Sequence, residues 1–316
     1  EIKAYKDEGR SPHWRFKLSG NPVIWMDMVR GEQKIETGSL SDPILIRGDG
    51  SFLYTLPSVV DDIEQKITHV IRGEDHVTNS GAQIEIFQAL STHLPKFAHT
   101  PLLVGHDGKS LSKRLGSLSM EELKEQGLEP LAICSLLAKI GTSDAIEARP
   151  SMDVLKDEFA FSKIGRAPAR FSEDELLLVN GKLLNDMPYV DVQAQLESLN
   201  VGGGEDLWNL IRSNVTKVND AAGWSTALYS PMSGQIKDED KEFCAAAASS
   251  LPDVITDTTW SEWTSVLKAE HGRKGKTLFM PLRKALSGRD SGPEMGTFLT
   301  LLGAEKAKGR LRGETA

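Results

Sequence analysis

The sequence predicts an α/β domain followed by an all-α C-terminal half, and three observations carry that expectation. Apolar runs of strand length recur up to about residue 104, and an amphipathic helical pattern separates two of them. From about residue 173 onward the apolar residues recur at helical spacing instead. Between these regimes a short stretch of small and basic residues, His106 to Gly116, ends one apolar run and precedes a helix start near Ser119. The 316 residues, 39% apolar and 26% charged, suffice for two or more domains with their own cores.

In chain order, the first ten residues are charged and begin without Met, which reads as the start of a fragment. His13 to Leu18 alternates aromatic or apolar with basic residues, as a half-buried strand would. Gly20-Asn21-Pro22 is a turn, and Val23 to Met26 is a second extended piece. Ile44–Arg47 and Phe52–Leu56 flank Gly48-Asp49-Gly50, which predicts a hairpin. Ile67–Arg72 is a third strand. Asn79 to Thr92 follows as a helix with Thr78 or Asn79 as its N-cap and Ile84, Phe87 and Leu90 on one face, and residues 98 to 104 form a fourth strand. Strand, helix and strand in that order imply a parallel crossover, with any ligand beyond the carboxyl ends of the strands. Helices over Met120–Gln126 and Leu128–Ile140 break at Gly127. Phe161 to Phe171, with three cations and no acid, reads equally as a linker or as an RNA-backbone contact. The later stripes, Leu207, Trp208, Ile211 and Val215, then Trp260, Trp263 and Leu267, read as helix faces turned to a core.

Composition excludes several classes. No apolar run reaches the ~18 residues of a membrane span and no signal peptide opens the chain, so the expectation is a cytoplasmic protein without a membrane partner. Cys134 and Cys244 lie far apart and without zinc-type spacing; neither a disulfide framework nor a metal site is expected. The net charge of −8 hides an asymmetry: residues 271–316 hold ten Lys or Arg against four acids, a surplus of +6, which leaves −14 on the remainder. A basic end on an acidic body points to a polyanion at that end. Gly202-Gly203-Gly204 is a break and not a phosphate loop, because no strand precedes it and no Lys follows.

Two constellations carry chemistry. The loop His106–Gly116 places Lys109, Lys113 and Arg114 among glycine and serine, a composition that can present N–H, hydroxyl and ammonium groups to one anion and that also occurs in solvated turns. Arg72-Gly73-Glu74-Asp75-His76 puts four ionisable groups at a strand end. Arg suits a carboxylate, and the neighbouring acids suit an ammonium group or ribose hydroxyls. His69, His99, Asp61 and Asp62 read as structural.

These two stretches also carry a resemblance. Ser110-Leu111-Ser112-Lys113-Arg114 resembles the KMSKS loop of class I aminoacyl-tRNA synthetases in the form used by glutamyl-tRNA synthetases, with Ser110 where the first Lys stands and Lys109 displaced by one position. Thr68 to Ala89 and Gly272 to Arg289 resemble the same family. The resemblance implies a Rossmann-like partial catalytic domain: residues 1–40 as the end of an acceptor-stem-binding insertion, 41–118 as the C-terminal half of the catalytic fold, 119–172 as a stem-contact region and 173–316 as a helical anticodon-binding domain. It implies a glutamate–tRNA ligase using ATP and Mg2+, with L-glutamate and tRNA(Glu) as partners, acting as a monomer. Lys113 and Ser112 would be catalytic; Ser110, Leu111, Ser112, Lys113, Arg114 and His76 would bind ATP; Arg72, Tyr54, Asp75 and Ser58 would bind glutamate. Ser58 stands where many members carry Asn. Arg166, Arg170, Arg273, Lys274, Lys276, Arg283, Lys284 and Arg289 would contact tRNA. The family's HIGH motif has no counterpart here, so the expectation is a truncated form unable to make adenylate alone. Two rivals stand beside it: a relative that charges tRNA(Gln) with glutamate, and a noncatalytic tRNA-binding module. The helical C-terminal half argues against a glutaminyl enzyme.

Overall fold

A computed structural model describes residues 5, 7–9, 11–109 and 119–316, and the chain divides into two compact units. The first comprises Glu1–Ser117, Ala138–Ile146 and Leu155–Ser172; the second comprises Leu118–Leu137, Glu147–Val154 and Glu173–Ala316. Among the described residues, no helix is long and apolar enough to cross a membrane.

In the first unit, β1 (Trp14–Arg15) pairs antiparallel with β4 (Ile44–Ile46), and β2 (Pro22–Asp27) pairs antiparallel with β3 (Gly31–Glu36). Strand β2 alternates strictly, with Val23, Trp25 and Asp27 turned inward and Ile24 and Met26 outward. Its turn closes because Asp27 Oδ1 accepts the main-chain N–H groups of Val29 and Arg30, each at 3.0 Å. Helix α1 is Thr55–Glu64. Strands β5 (His69–Gly73) and β6 (Lys96–Thr100) are parallel neighbours joined through α2 (Val77–Leu90), the crossover expected from the sequence. Every residue of α2 from Ser80 to Phe87 is buried, which suits a helix packed on more than one side. Ile84, Ile86 and Phe87 meet Phe97, Val23, Trp25 and Val59 in the core of this unit.

Four expectations need correction. Phe52–Leu56 is not the second strand of a hairpin: the turn forms, with Arg47 N–H donating to Ser51 O at 2.8 Å, but only Phe52 bridges back to Ile46 before α1 begins. Leu56, Val59 and Ile63 are spaced three and four apart and face the core, and Pro57 lies in the first turn, where a helix does not need its missing N–H. The same helix carries Asp61 and Asp62 in its last turns. The strand expected over 98–104 is two, β6 and β7 (Leu103–Val104), because Pro101 cannot donate to a ladder. Strand β7 pairs in parallel with β8 (Ala169–Arg170), so part of the supposed linker belongs to a sheet. Helix α2 starts earlier than expected, at Val77 behind a 3-10 turn over Glu74–His76, and neither Thr78 nor Asn79 caps it; Leu90 faces solvent.

The second unit is helical apart from turns. Helix α3 (Met120–Glu125) begins where the sequence places it: Glu122 N–H donates to Ser119 Oγ at 3.1 Å and Ser119 N–H donates to the Glu122 carboxylate at 2.9 Å. Gly127 ends this segment at φ +79°, and a Cβ there would stand 2.5 Å from Asn219 Oδ1. Helices α4 (Pro130–Lys139) and α5 (Met152–Glu158) follow, each beginning in the second unit and ending in residues assigned to the first. Then come α6 (Glu173–Asp186), α7 (Tyr189–Ser198), α8 (Gly204–Ile211), α9 (Ala221–Tyr229), α10 (Lys241–Ser250), α11 (Thr259–His271), α12 (Lys276–Ser287), α13 (Met295–Leu302) and α14 (Ala304–Leu311). The stripes read from the sequence are core: Leu207, Trp208, Ile211, Val215, Trp263 and Leu267 are all buried. Cys244 is buried on α10, and burial, with the nearby Asp240 charge, pushes its thiol up to about 11. Arg310 on α14 is wholly buried, and its guanidinium donates to four carbonyls: Ala227 at 2.6 Å, Leu286 at 2.8 Å, and Ser230 and Ala316 at 3.2 Å each.

Candidate functional site

In the parallel pair, Arg72 lies opposite His99, one residue from the carboxyl end of each strand. Arg72 reaches over the first turns of α2. Its Nη2 donates to Ser80 Oγ and to Gln83 Oε1, both at 2.6 Å, its Nη1 donates to Tyr54 Oη at 3.2 Å, and its Nε points to His99 Nε2 at 3.4 Å. All four partners are uncharged groups, and among the described residues no carboxylate comes within ion-pair distance of Arg72. The guanidinium is therefore oriented but not neutralised, the condition for binding an anion from outside. Tyr54 is 56% exposed, so this face opens to solvent. Ser58 contributes indirectly: Gln83 Nε2 donates to Ser58 Oγ at 2.8 Å, which turns Gln83 Oε1 toward Arg72.

Behind Arg72 lies a fully buried pair. His99 Nδ1 is 2.6 Å from Asp27 Oδ2, and His99 Nε2 is 2.9 Å from Ser80 Oγ. Burial holds the His99 imidazole below its ordinary value of 6.5; Asp27 pulls it up, and the charges of Arg72 and Arg30 push it down. Burial would raise the Asp27 carboxyl, but hydrogen bonds from the His99 side chain and from the main chain of Arg30, His99 and Val29 outweigh it and leave it below the usual range. An ionised Asp27 accepts only, so Nδ1 carries the imidazole hydrogen and Nε2 presents a lone pair.

The rest of the Arg72–His76 constellation divides. Glu74 pairs with Arg30 and is occupied. Asp75 folds toward Gly73, where an added Cβ would stand 2.6 Å from Asp75 Oδ1 and would displace the carboxylate. His76 lies 3.9 Å from Asp75 and its ring centroid is 5.9 Å from that of Tyr54. Tyr54, Ser58, Arg72, Asp75 and His76 thus gather at one strand end. Ser110, Leu111, Ser112, Lys113 and Arg114 lie outside the described residues. The sequence reading missed Asp27, Ser80 and Gln83 and set His99 aside. Only Ser80 and Gln83, eight and eleven residues beyond Arg72, carried a local signal, since both lie on the helix that leaves the strand.

The basic residues also separate. Arg166 and Arg170 are exposed in the first unit. In the second, Arg273 pairs with Asp240 and stacks 4.2 Å over Phe243, Lys284 pairs with Asp290 at 2.5 Å, Arg283 donates to Pro293 O at 3.1 Å, and Arg289 lies 4.2 Å over the Trp224 ring. Lys274 and Lys276 are exposed. A cleft of about 560 Å3 is lined by Arg273, Lys276 and Lys284 together with Lys237, Glu239 and Asp240.

Comparison with known proteins matches residues 1–176 to "tRNA synthetases class I (E and Q), catalytic domain" and residues 196–314 to "Anticodon binding domain". Glutamate–tRNA ligase 2 of Hyphomonas neptunium is 58% identical over 306 residues, which cover 96% of this chain and 69% of that protein. Glutamate–tRNA ligase 1 of Maricaulis maris is 55% identical over 318 residues, covering 100% of this chain and 71% of that one. The crystal structure of a glutamate tRNA ligase from Elizabethkingia meningosepticum in complex with its amino acid shares the fold, with a TM-score of 0.80 at 24% identity over 98% of this chain and 69% of its own.

Proposed function

Because this chain belongs to the class I tRNA synthetases for glutamate and glutamine, we propose that it works as a glutamate–tRNA ligase whose Arg72 grips a carboxylate of the amino acid. The observation that carries the reading is the oriented, uncompensated guanidinium of Arg72, held by Ser80, Gln83 and Tyr54 at the end of a parallel strand. Tyr54 and Ser58 shape the glutamate pocket, the first by direct contact with Arg72 and the second through Gln83. Asp75 and His76 face the ammonium and adenosine side.

ATP is the second substrate. The glutamate α-carboxylate attacks its α-phosphate and pyrophosphate leaves; the terminal ribose hydroxyl of tRNA(Glu) then takes the glutamyl group, losing its proton as AMP leaves. Lys113 and Ser112, with Ser110, Leu111 and Arg114 beside them, supply the donors that stabilise charge growing on the phosphates. Mg2+ would arrive with the triphosphate, whose oxygens would hold it and whose charge it would offset. The helical unit reads the anticodon through its basic face, where Lys274, Lys276 and Arg289 are the exposed cations of the six candidates. Arg166 and Arg170 serve the RNA backbone nearer the catalytic unit. The same reading makes the protein a cytoplasmic monomer.

The test is pyrophosphate exchange dependent on glutamate and tRNA, in the enzyme expressed from its complete reading frame. Lys113→Ala is expected to lower the rate roughly a hundred- to a thousandfold. A rate within threefold of wild type would remove Lys113 from the mechanism. Charging assays with separated tRNA(Glu) and tRNA(Gln) decide which RNA is used.

A further inference from the structure

We propose that Asp27 and His99 are positioning residues for glutamate binding: they fix one imidazole tautomer, and its bare Nε2 locks Ser80 and thereby the orientation of the Arg72 guanidinium. The inference rests on Arg72 being the carboxylate ligand and adds what sets its geometry.

Asp27 divides its two oxygens between two tasks. Oδ1 accepts three main-chain N–H groups, those of Val29, Arg30 and His99, at 3.0 to 3.1 Å, while Oδ2 faces only His99 Nδ1 at 2.6 Å. Both side chains are fully buried. The Phe97 ring lies parallel to the imidazole with centroids 6.4 Å apart, and Trp25 stands at 6.3 Å, so aromatic walls shield the pair.

Ser80 Oγ is the node between this pair and Arg72. It accepts the Arg72 Nη2 hydrogen at 2.6 Å and faces both His99 Nε2 at 2.9 Å and His76 O at 3.1 Å. A hydroxyl has one hydrogen to give, and each candidate acceptor needs a lone pair. Nδ1-protonated His99 supplies one. The opposite tautomer would aim Nε2–H at a region that already receives two Arg72 donors and would turn the Nδ1 lone pair on the Asp27 carboxylate. An imidazolium would place a second cation beside Arg72. The groups that face this imidazole are Asp27 and Arg30 from the β2–β3 hairpin, Arg72 from β5 and Ser80 from α2. A mere brace between strands would need no such continuation to a solvent-facing guanidinium.

Asp27→Asn separates the two tasks. Its amide oxygen can keep the three main-chain bonds while its NH2 faces Nδ1 and drives the hydrogen to Nε2. In tRNA-dependent pyrophosphate exchange by the enzyme from its complete reading frame, this variant is expected to raise the glutamate KM roughly 10- to 100-fold, as one unsatisfied buried donor beside a charge would. The KM for ATP should stay within about threefold, because Asp27 and His99 make no contact with His76 and Ser80 meets only its main-chain carbonyl. Nitrogen-15 spectra of the imidazole should report Nδ1–H in the wild type and Nε2–H in the variant.

His99→Gln, which can still offer an acceptor near the Nε2 position, should retain more glutamate affinity than His99→Asn, which cannot. Ser80→Ala removes the node with the least disturbance and should raise the glutamate KM even if Asp27→Asn folds poorly. Three results would overturn the proposal: an Nε2–H tautomer in the wild type, equal effects of His99→Gln and His99→Asn, or an unchanged glutamate KM in Asp27→Asn and Ser80→Ala while Arg72→Lys raises it. An unchanged glutamate KM in Arg72→Lys would instead overturn the reading on which the proposal rests, and the tautomer spectra would be unaffected.

Discussion

Two arginines, one in each unit, show how the same side chain becomes a site or a clamp. Arg310 is consumed: four main-chain carbonyls take its hydrogens, and two of them, from Ala227 and Leu286, belong to the last turns of α9 and α12, where helix carbonyls lack partners and carry partial negative charge. Burial lowers its tendency to stay charged, yet every bond it makes stays inside the helical unit. Arg72 is held at all three of its nitrogens by neutral side chains, makes no ion pair among the described residues and stands beside an exposed tyrosine. Main-chain partners make an arginine permanent architecture. Neutral side-chain partners leave its charge for a visitor.

The largest effect that would break this contrast is on stability. Arg310→Met strands four carbonyls and should cost roughly 3–5 kcal/mol, read by urea unfolding with hydrogen exchange in α9 and α12. A loss under about 1 kcal/mol would show that the clamp is not needed. Next comes Arg72→Ala, expected to raise the glutamate KM about a hundredfold while changing urea stability by no more than about 1 kcal/mol. Comparable stability losses at both arginines would erase the distinction.

A third effect concerns acid. His99 is held below its ordinary value of 6.5, so the unfolded chain binds its proton first as pH falls. Its contribution to stability is complete above about pH 6.5 and is lost on acidification, at most about 1.4 kcal/mol per pH unit, until the folded pKa is passed. Asp27, also depressed, extends the loss in the same direction below its ordinary 3.8. His99→Gln should remove the first part of that slope in pH-dependent unfolding of the α/β unit. The smallest effect sharpens the comparison with a third arginine. Arg289 is exposed yet lies over Trp224, so Arg289→Ala should cost about 0.5–1 kcal/mol in the helical unit and should weaken tRNA binding only if its free edge also meets phosphate.

Much of the fold was legible because it rests on local signals. The capping pair Ser119 and Glu122, the break at Gly127, the crossover around α2 and the buried tryptophan stripes all depend on residues within a few positions of one another. Where the reading failed, a local cue was outweighed. Phe52–Leu56 has strand-forming residues, but Leu56, Val59 and Ile63 reach the core only as a helix. The six basic residues between Gly272 and Arg289 look alike in sequence, and packing then occupied four of them with Asp240, Asp290, Pro293 and Trp224.

From the sequence alone came the α/β-then-helical order, the arginine at a strand end and the basic loop that follows the next strand, because periodicity, turn residues and charge spacing are short-range properties. The tertiary structure decided which polar groups are partners. Asp27 and His99 are 72 residues apart, and three of the four carbonyls that Arg310 meets are 24 to 83 residues away. Whether an arginine is free to bind or already saturated depends on such distant contacts, since a hydrogen bond is made by atoms that meet in space, whatever their order along the chain.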